Sequence, residues 1–455
     1  MTPREYLDKQ KKNSLEELKT FVRIPSISAQ SQYKPDMERC ARWLVDFFKE
    51  LDFNVEICET GGHPLVYSEN LQVPGAPTVL IYGHYDVQPV DPVDLWQSPP
   101  FEPTERDGYL YARGVVDDKG QIYTHMKSVQ AYLKTAGKLP LNVKFLIEGE
   151  EEGTTSHLDS FIEANSKKLQ ADIVLVSDSA QYAIDMPAIN YGLRGIAMVE
   201  VKITGPEKDL HSGSYGGSVA NPIHLLAQMI GQLHDKNGRI SIAGFYDNVY
   251  TMPQKERKQL ADLPFDAEAY RKTTGVPQLW GEKGFTPLEQ IWCRPTLDCN
   301  GITGGYQGEG AKTIIPSWAS AKITMRLVPD QTPDEVCDKF EAHMEEICPK
   351  TVRLEVQKFG GANPVQVDIN NPWVEAAARA VETGFDKYPL FIKMGGSIPV
   401  VETFKRVLGL DTLLVGFGQE DDNPHSPNER FLIKDFHRGC QTAVALLDEL
   451  AKVEA

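Results

Sequence analysis

The stretch TVLIYGHYD, residues 78–86, begins as an apolar strand and ends in a histidine and an aspartate. Its run TVLIY has no polar alternation, which predicts a strand buried on both faces, as in parallel sheets. His84 and Asp86 follow the strand, and parallel α/β sheets bind ligands beyond the carboxyl ends of their strands. The stretch therefore predicts a parallel sheet with a polar site at one edge.

Further patterns of the same kind lie on both sides of the middle of the chain. Apolar strands are predicted at VKFLI (143–147), DIVLV (172–176) and TLLVGF (412–417), and helical patterns at 35–53, 120–137, 371–385 and 435–453. Strands that alternate with helices predict an α/β domain with a mostly parallel sheet covered by helices. This domain is expected to consist of residues 1–190 and 369–455.

The middle of the chain has a different pattern. GIAMVEVKITG (195–205) and ASAKITMRLVP (319–329) alternate between apolar and polar residues, as strands with one solvated face do. A helical pattern at 332–347 and a strand at 352–358 follow. We therefore expect a smaller α+β domain, residues 191–368, inserted between the two parts of the larger domain.

Composition narrows the possible partners and the compartment. The net charge of −17 over 455 residues argues against a nucleic-acid or anionic membrane surface, and no apolar run is long enough to span a bilayer. The seven cysteines are scattered, with no C-x-x-C pair, which indicates a reducing compartment. The polar N-terminus lacks the apolar core of a signal peptide, so we expect the cytoplasm.

Metal-compatible side chains follow four predicted strands and one helix-entry loop. They are His84 and Asp86, the glutamates of EGEEEG (148–153), Asp178, His425, and Asp117 in RGVVDDKG. Imidazole with carboxylate and no cysteine is the ligand set of zinc- or manganese-type hydrolytic sites. Two histidines and three acids exceed one four-coordinate ion with an open position, but they fit two ions that share a carboxylate. A further glutamate could then act as a general base.

Each residue has a structural interpretation when it is taken alone. Asp86 and Asp117 are typical turn or helix-cap residues, EGEEEG is typical of a solvated loop, and His425 lies in a Pro- and Asn-rich loop. The functional prediction depends on their convergence at one edge of one sheet.

Motifs along residues 15–450 resemble those of the dinuclear zinc peptidases. That family includes carnosinase-like dipeptidases, glutamate carboxypeptidases, aminoacylases and succinyl-diaminopimelate desuccinylases. The matching motifs are HYDVQP (84–89), LYARGVVDDKG (110–120), EGEEEG (148–153), SDS (177–179), YGLRG (191–195), LHSG (210–213), MRLVP (325–329), GGSIPV (395–400) and PHSPNE (424–429). Among them, YGLRG, LHSG and GGSIPV are most similar to the cytosolic dipeptidase branch.

The resemblance implies a role for each residue of the site. One ion would be bound by His84 and Asp178, the other by Glu152 and His425, and both by Asp117. The ions would be zinc, with manganese or cobalt compatible with the same ligands.

Two glutamate registers fit the resemblance. In the favoured register Glu151 is the base, with Asp86 bonded to the imidazole of His84. Many relatives have one more residue before the glycine that follows the glutamate pair. An alignment that keeps this spacer would select Glu150 and Glu151 instead of Glu151 and Glu152.

The inserted domain would be a lid and dimerisation domain. The resemblance implies that His211 stabilises the oxyanion, in dimeric relatives at the neighbouring subunit's site, and that Arg326 binds the substrate carboxylate. Gly396 and Ser397 would add an amide and a hydroxyl to that anion site, and Asn300 would face the substrate. A homodimer is therefore expected.

The expected function is metal-dependent hydrolysis of dipeptides or short peptides with a free C-terminal carboxylate, by a water that bridges two metal ions. The alternative on the same scaffold is an N-acyl-amino-acid amidohydrolase, such as a deacylase or desuccinylase. A more distant alternative is an inactive binding or scaffold homologue, which would be expected to lack part of the site. A Rossmann-type nucleotide-binding enzyme is excluded because no G-x-G-x-x-G follows the first strand.

Overall fold

The computed structural model describes residues 1–153 and 157–454. The chain forms two compact units. The larger comprises Met1–Tyr191, Val367–Ile392 and Thr403–Ala455, and the smaller comprises Gly192–Gln366 and Lys393–Glu402. The sequence assigned the last of these segments to the larger domain. It packs with the smaller unit because the buried Lys393 ammonium pairs with Glu256 at 2.5 Å.

Eighteen strands are present in the described residues. They are β1 Asn54–Cys58, β2 Leu65–Asn70, β3 Thr78–His84, β4 Thr104–Arg106, β5 Tyr109–Tyr111, β6 Asn142–Glu148, β7 Ile173–Val176, β8 Ala188–Leu193, β9 Gly195–Thr204, β10 Leu210–His211, β11 Thr296–Gly304, β12 Ile314–Ile315, β13 Trp318–Leu327, β14 Arg353–Ala362, β15 Val365–Gln366, β16 Leu390–Met394, β17 Thr412–Leu414 and β18 Arg430–Leu432.

Thirteen α-helices accompany these strands in the same part of the chain. They are α1 Pro3–Val22, α2 Lys34–Lys49, α3 Lys119–Ala136, α4 Leu158–Ala164, α5 Ser212–Tyr215, α6 Pro222–Gly231, α7 Gln254–Ala261, α8 Ala267–Thr274, α9 Pro287–Trp292, α10 Pro333–Ile347, α11 Pro372–Phe385, α12 Pro399–Thr403 and α13 Ile433–Leu450. No helix in the described residues has both the length and the apolar character needed to span a bilayer.

The larger unit is built on a sheet whose hydrogen-bonded path begins β1–β2–β6–β3–β7–β17–β8. Its four central strands β6, β3, β7 and β17 are parallel, and antiparallel pairs flank them. Strands β3, β6 and β7 are buried almost without interruption, as strands covered on both faces are. The predicted α/β class with a mostly parallel sheet is confirmed.

The core of the larger unit joins this sheet to its helices. Apolar side chains of α1, α2, α3, α11 and α13 form one buried cluster with those of β3 and β6. A separate three-stranded sheet, β18–β5–β4, pairs the chain just after His425 with the chain just before Asp117. This pairing fixes the two loops that carry those residues next to each other.

The smaller unit contains an antiparallel four-stranded sheet in the order β11–β13–β9–β14. One face of the sheet packs with α6 and α10 around a second apolar cluster. Burial alternates along β9, so the other face carries its more exposed residues. The alternating patterns in the sequence predicted this arrangement for β9 and β13.

Candidate metal centre

Five candidate ligands lie at one end of the parallel strands. His84 ends β3, the glutamates follow β6, and Asp178 lies two residues beyond β7. Asp117 lies just before α3, and His425 lies between β17 and β18 with a left-handed backbone, φ 58°. All belong to the larger unit. The carboxyl ends of β3, β6 and β7 meet at the same edge because these strands are parallel.

The five side chains form two groups that share Asp117. His84, Asp117 and Asp178 form one group, and Asp117, Glu152 and His425 form the other, with donor atoms within 4.8 Å of one another in each. Asp117 directs Oδ1 to His84 Nε2 at 3.1 Å and Oδ2 to His425 Nε2 at 2.9 Å. One carboxylate therefore has an oxygen in each group, which is the arrangement that a bridging ligand requires.

These donors fit divalent cations. Two donors bound to one tetrahedral zinc ion at about 2.0 Å would be about 3.3 Å apart. His425 Nε2 lies 3.1 Å from Glu152 Oε1, and His84 Nε2 lies 3.9 Å from Asp178 Oδ2. His84 Nε2 is buried and has no well-directed hydrogen bond to any described residue. A buried imidazole nitrogen that faces two carboxylates without a well-directed hydrogen bond has the environment of a metal ligand.

His84 turns Nδ1 toward Asp86, whose backbone oxygen is closer to it than the carboxylate. Its Nδ1 lies 3.1 Å from the backbone oxygen of Asp86 and 3.4 Å from that residue's carboxylate. The carboxylate instead accepts hydrogen bonds from the backbone amides of Glu151, at 3.2 Å, and Glu152, at 2.9 Å. With Nδ1 donating to a carbonyl, Nε2 keeps its lone pair for a metal. Asp86 thus fixes His84 mainly through its main chain and the glutamate loop through its side chain.

The two glutamate registers can be compared by where the side chains lie. Glu150 Oε2 is 2.8 Å from His157 Nδ1, whereas Glu152 lies with His425 and accepts a 2.6 Å hydrogen bond from Gln88. No described residue donates a hydrogen bond to the Glu151 carboxylate, which leaves it available as a base. This geometry favours Glu151 and Glu152 over Glu150 and Glu151.

Glu429 is a buried acid at the end of the motif PHSPNE, and no role was predicted for it from the sequence. Its Oε2 accepts hydrogen bonds from Arg113 Nη1 and the amide of Gly114, both at 2.8 Å. Its Oε1 accepts from the amides of Val116 at 2.9 Å and Asp117 at 3.2 Å. One carboxylate therefore organises the whole loop that presents Asp117. Its position four residues after His425 was the only sequence signal.

Asp118 is a second acid that the sequence did not single out. It is 1% exposed, and its Oδ2 accepts a 3.2 Å hydrogen bond from the backbone amide of His84. Because Asp118 follows Asp117 directly, it connects the bridging residue to the end of β3.

Burial and mutual charge shift the pKa values of the site. Burial raises the pKa of Glu151 to about 8 and that of Asp178 to about 7, against the opposing effect of the His84 imidazole. Hydrogen bonds to Asp117 and Glu152 raise the pKa of His425 to about 10. Burial would raise the pKa of Asp117, but its contacts with His425 and His84 hold it below the ordinary value. Bound cations would replace protons in such a cluster.

The remaining predicted residues lie in the smaller unit. The exposed His211 accepts a hydrogen bond at Nδ1 from the amide of Gly213, 3.0 Å away, so a neutral ring carries its proton on Nε2. Arg326 Nη1 donates to Ser397 Oγ at 3.0 Å, next to Gly396. Asn300 is exposed at an irregular position of β11, and no described residue hydrogen-bonds its side chain. Thus Arg326 and Ser397 are in contact, whereas Asn300 is not part of that pair.

Comparison with known proteins identifies the family. The family model described as "Peptidase family M20/M25/M40" matches residues 80–449. This chain belongs to that family. The M20 peptidase is 33% identical to the Cys-Gly metallodipeptidase DUG1 of Candida albicans, over 96% of this chain and 94% of the relative.

Solved structures agree with this assignment. Human carnosine dipeptidase 1 superposes with a TM-score of 0.84 at 30% identity, covering 99% of this chain and 98% of that one. The M20 metallo-carboxypeptidase Sso-CP2 of Sulfolobus solfataricus gives a TM-score of 0.86 at 33% identity, covering 97% and 99% of the two chains. The resemblance recognised in the sequence is confirmed, and the residues of the candidate centre fit a metallopeptidase.

Proposed function

We propose that this M20 peptidase hydrolyses the peptide bond of dipeptides and short peptides that have a free C-terminal carboxylate. Two divalent ions would be held by His84 with Asp178 and by Glu152 with His425, with Asp117 shared between them. The observation that carries the proposal is the placement of the two oxygens of Asp117 against two different imidazoles. Similarity over nearly the full chain to proteins named as dipeptidases supports this substrate class. Zinc is the proposed metal because nitrogen and oxygen donors at these spacings suit it, and manganese or cobalt would fit the same donors.

Bound here, the ions would polarise the scissile carbonyl and make a water nucleophilic near neutral pH. Glu151 would take a proton from that water as the water oxygen bonds to the carbonyl carbon. When the carbon–nitrogen bond breaks, Glu151 would return the proton to the leaving amine.

The smaller unit would bind the substrate and stabilise developing charge. The protonated Nε2 of His211 is proposed to donate to the oxyanion, an interaction worth about 3 kcal/mol of barrier in comparable sites. Arg326, with Ser397 and Gly396, is proposed to bind the C-terminal carboxylate, since a guanidinium can form two parallel hydrogen bonds with it. Asn300 is proposed to contribute a further polar contact.

We also propose a homodimer formed through the smaller unit, in a reducing compartment such as the cytoplasm. Exposed apolar side chains on that unit support the first point, namely Met198, Ile302, Trp318 and Phe359. All seven cysteines are free thiols, which supports the second.

The substitution Glu151→Gln tests the base directly. Glutamine keeps the shape but cannot accept the proton, so kcat for an alanyl dipeptide is expected to fall by about 10²–10⁴-fold while the metal content is unchanged. Glu150→Gln is the matched control and should stay within a few-fold of wild type. The opposite result would assign the base to Glu150, and full activity of both variants would reject a glutamate base. Parallel assays with N-acetyl and N-succinyl amino acids separate peptidase from amidohydrolase.

A further inference from the structure

The smaller unit contains a cavity of about 330 Å³ that includes no residue of the proposed metal centre or carboxylate site. A water molecule occupies about 30 Å³ in the liquid, so the cavity has room for a small organic molecule. Three arginines and three aromatic side chains determine its chemistry. They are Arg239, Arg257, Arg294, Tyr246, Tyr250 and Phe285.

The walls of the cavity carry an excess of positive charge. No acidic side chain lines it in the part of the chain that the structure describes. Glu282, which lies behind the wall, pairs with Arg239 at 3.2 Å and with Arg294 at 2.7 Å. Glu289 pairs with Arg257 at 2.6 Å. Three guanidinium groups therefore share two carboxylates, which leaves one positive charge.

Other charges near the cavity do not cancel this excess. The Tyr250 hydroxyl donates to Glu256, and the buried Lys393 ammonium neutralises that carboxylate. Asp235 and Asp330 also lie near the cavity, but both are exposed, so water and salt screen their charges. The cavity therefore attracts an anion.

Each of the three arginines keeps N–H groups for a ligand. Arg239 binds its carboxylate through Nη1 only, whereas Arg257 and Arg294 use Nε and Nη2. Within residues 1–153 and 157–454, nothing accepts a hydrogen bond from Arg239 Nε and Nη2 or from Nη1 of the other two. The side chains of Arg239 and Arg257 are 50% and 43% exposed, so a ligand can reach them.

Aromatic rings hold the guanidinium groups in place. The guanidinium carbon of Arg239 lies 3.8 Å from the centroid of the Tyr246 ring. That of Arg294 lies 4.3 Å from the centroid of the Phe285 ring. A guanidinium that is already stacked on a ring and paired with a carboxylate loses little further freedom when it binds an anion. Met252 also lines the cavity and adds apolar surface.

We propose that this cavity binds a small organic anion, in which a carboxylate or phosphate group is attached to an aromatic or aliphatic body. The anionic group receives hydrogen bonds from guanidinium groups of the wall, and the body lies against Met252 and the rings. The site is independent of the proposed function, because none of its residues binds the metal ions or the substrate carboxylate in that proposal.

The test is a calorimetric titration of the metal-loaded full-length chain with phenylacetate, phenyl phosphate and the neutral 2-phenylethanol. At least one anion is expected to bind about tenfold or more tightly than 2-phenylethanol, because charge-assisted hydrogen bonds favour it. The double variant Arg239→Gln/Arg257→Gln is expected to raise Kd for that anion by about tenfold or more. If the double variant does not fold, Arg239→Gln alone gives the same comparison, because Glu282 keeps its pair with Arg294.

Two further variants control for other anion sites. Arg326→Gln removes the proposed carboxylate site, and the exposed Arg353→Gln removes a charge from the same unit without altering the cavity. Both are expected to keep the wild-type affinity. Anion binding that is unchanged in the double variant, or lost in Arg326→Gln, would belong to the metal centre or the substrate site and overturn the inference. Equal binding of all three compounds, or no binding of either anion at millimolar concentration, would also overturn it and leave dipeptide hydrolysis standing.

Discussion

At the scale of single residues, two acids outside the proposed ligand set, Asp86 and Glu429, position the proposed ligands and the proposed base. Asp86 holds the amides of Glu151 and Glu152, and Glu429 holds the amide of Asp117 and two others in the same loop. The sequence predicted His84 from the end of its strand, because a buried strand and the residue after it lie close together in the chain. It could not predict what Glu429 contacts, since those partners lie 312 to 316 positions away.

Replacing Glu429 should weaken metal binding without removing a ligand. In Glu429→Gln, one acceptor oxygen becomes an amide group that faces the donors of the Asp117 loop. We expect metal affinity to fall about 10- to 100-fold, as it does when outer partners of metal ligands are lost. Chelator competition, well below the melting temperature, measures this affinity. The exposed Glu420→Gln is the matched control, and equal affinities in the two variants would show that Glu429 does not position Asp117.

His125 makes stability depend on pH. Burial lowers its pKa to about 3, and its Nε2 lies 2.7 Å from Ser177 Oγ, which donates to a carbonyl. An unfolded histidine has a pKa of about 6.5, so between these values the unfolded chain binds a proton that the folded chain does not. This contribution to stability is complete above pH 6.5 and is lost as the pH falls, by about 1.4 kcal/mol per unit.

The substitution His125→Gln should reduce this dependence. Between pH 7 and pH 5, the wild type is expected to lose about 2 kcal/mol more than the variant, as measured by urea unfolding. The exposed His224→Gln should keep the wild-type dependence. If His125→Gln has the same slope as wild type, His125 does not carry the effect.

At the scale of elements, strands were predicted correctly where their residues are either continuously apolar or strictly alternate between apolar and polar. Strands β3, β6 and β7 are continuously apolar, and β9 and β13 alternate, so the main sheet of each unit could be predicted. The antiparallel strands β1 and β2 and the short helices α7, α8 and α9 were not predicted. β1 is mostly exposed, and each of these helices has eight residues or fewer, so tertiary contacts decide their structure.

The approach of α11 to α13 depends on Gly384. A Cβ there would lie 2.8 Å from the backbone nitrogen of Thr442, which cannot rotate away. Gly384→Ala is therefore expected to destabilise the protein by about 1–3 kcal/mol in urea unfolding. Gly231→Ala, in α6 with nothing within 4 Å of the added methyl, should be neutral or slightly stabilising. Equal stability of the two variants would contradict this close packing.

At the scale of the whole molecule, the sequence predicted two units and their approximate limits. It placed Lys393–Glu402 in the larger one, whose second part was predicted as residues 369–455. Arg194 and Glu256 instead connect that segment to the smaller unit. Contacts between distant parts of the chain decided the boundary, and no local pattern records them.

The most direct test is the number of metal ions per chain, measured by elemental analysis after exhaustive exchange into metal-free buffer. Two per chain are expected in wild type, and fewer than one in Asp117→Ala, because both groups lose the carboxylate that they share. The control Asp262→Asn should retain two. A wild type with one ion, or an Asp117→Ala variant that keeps two, would contradict a two-ion centre built on Asp117.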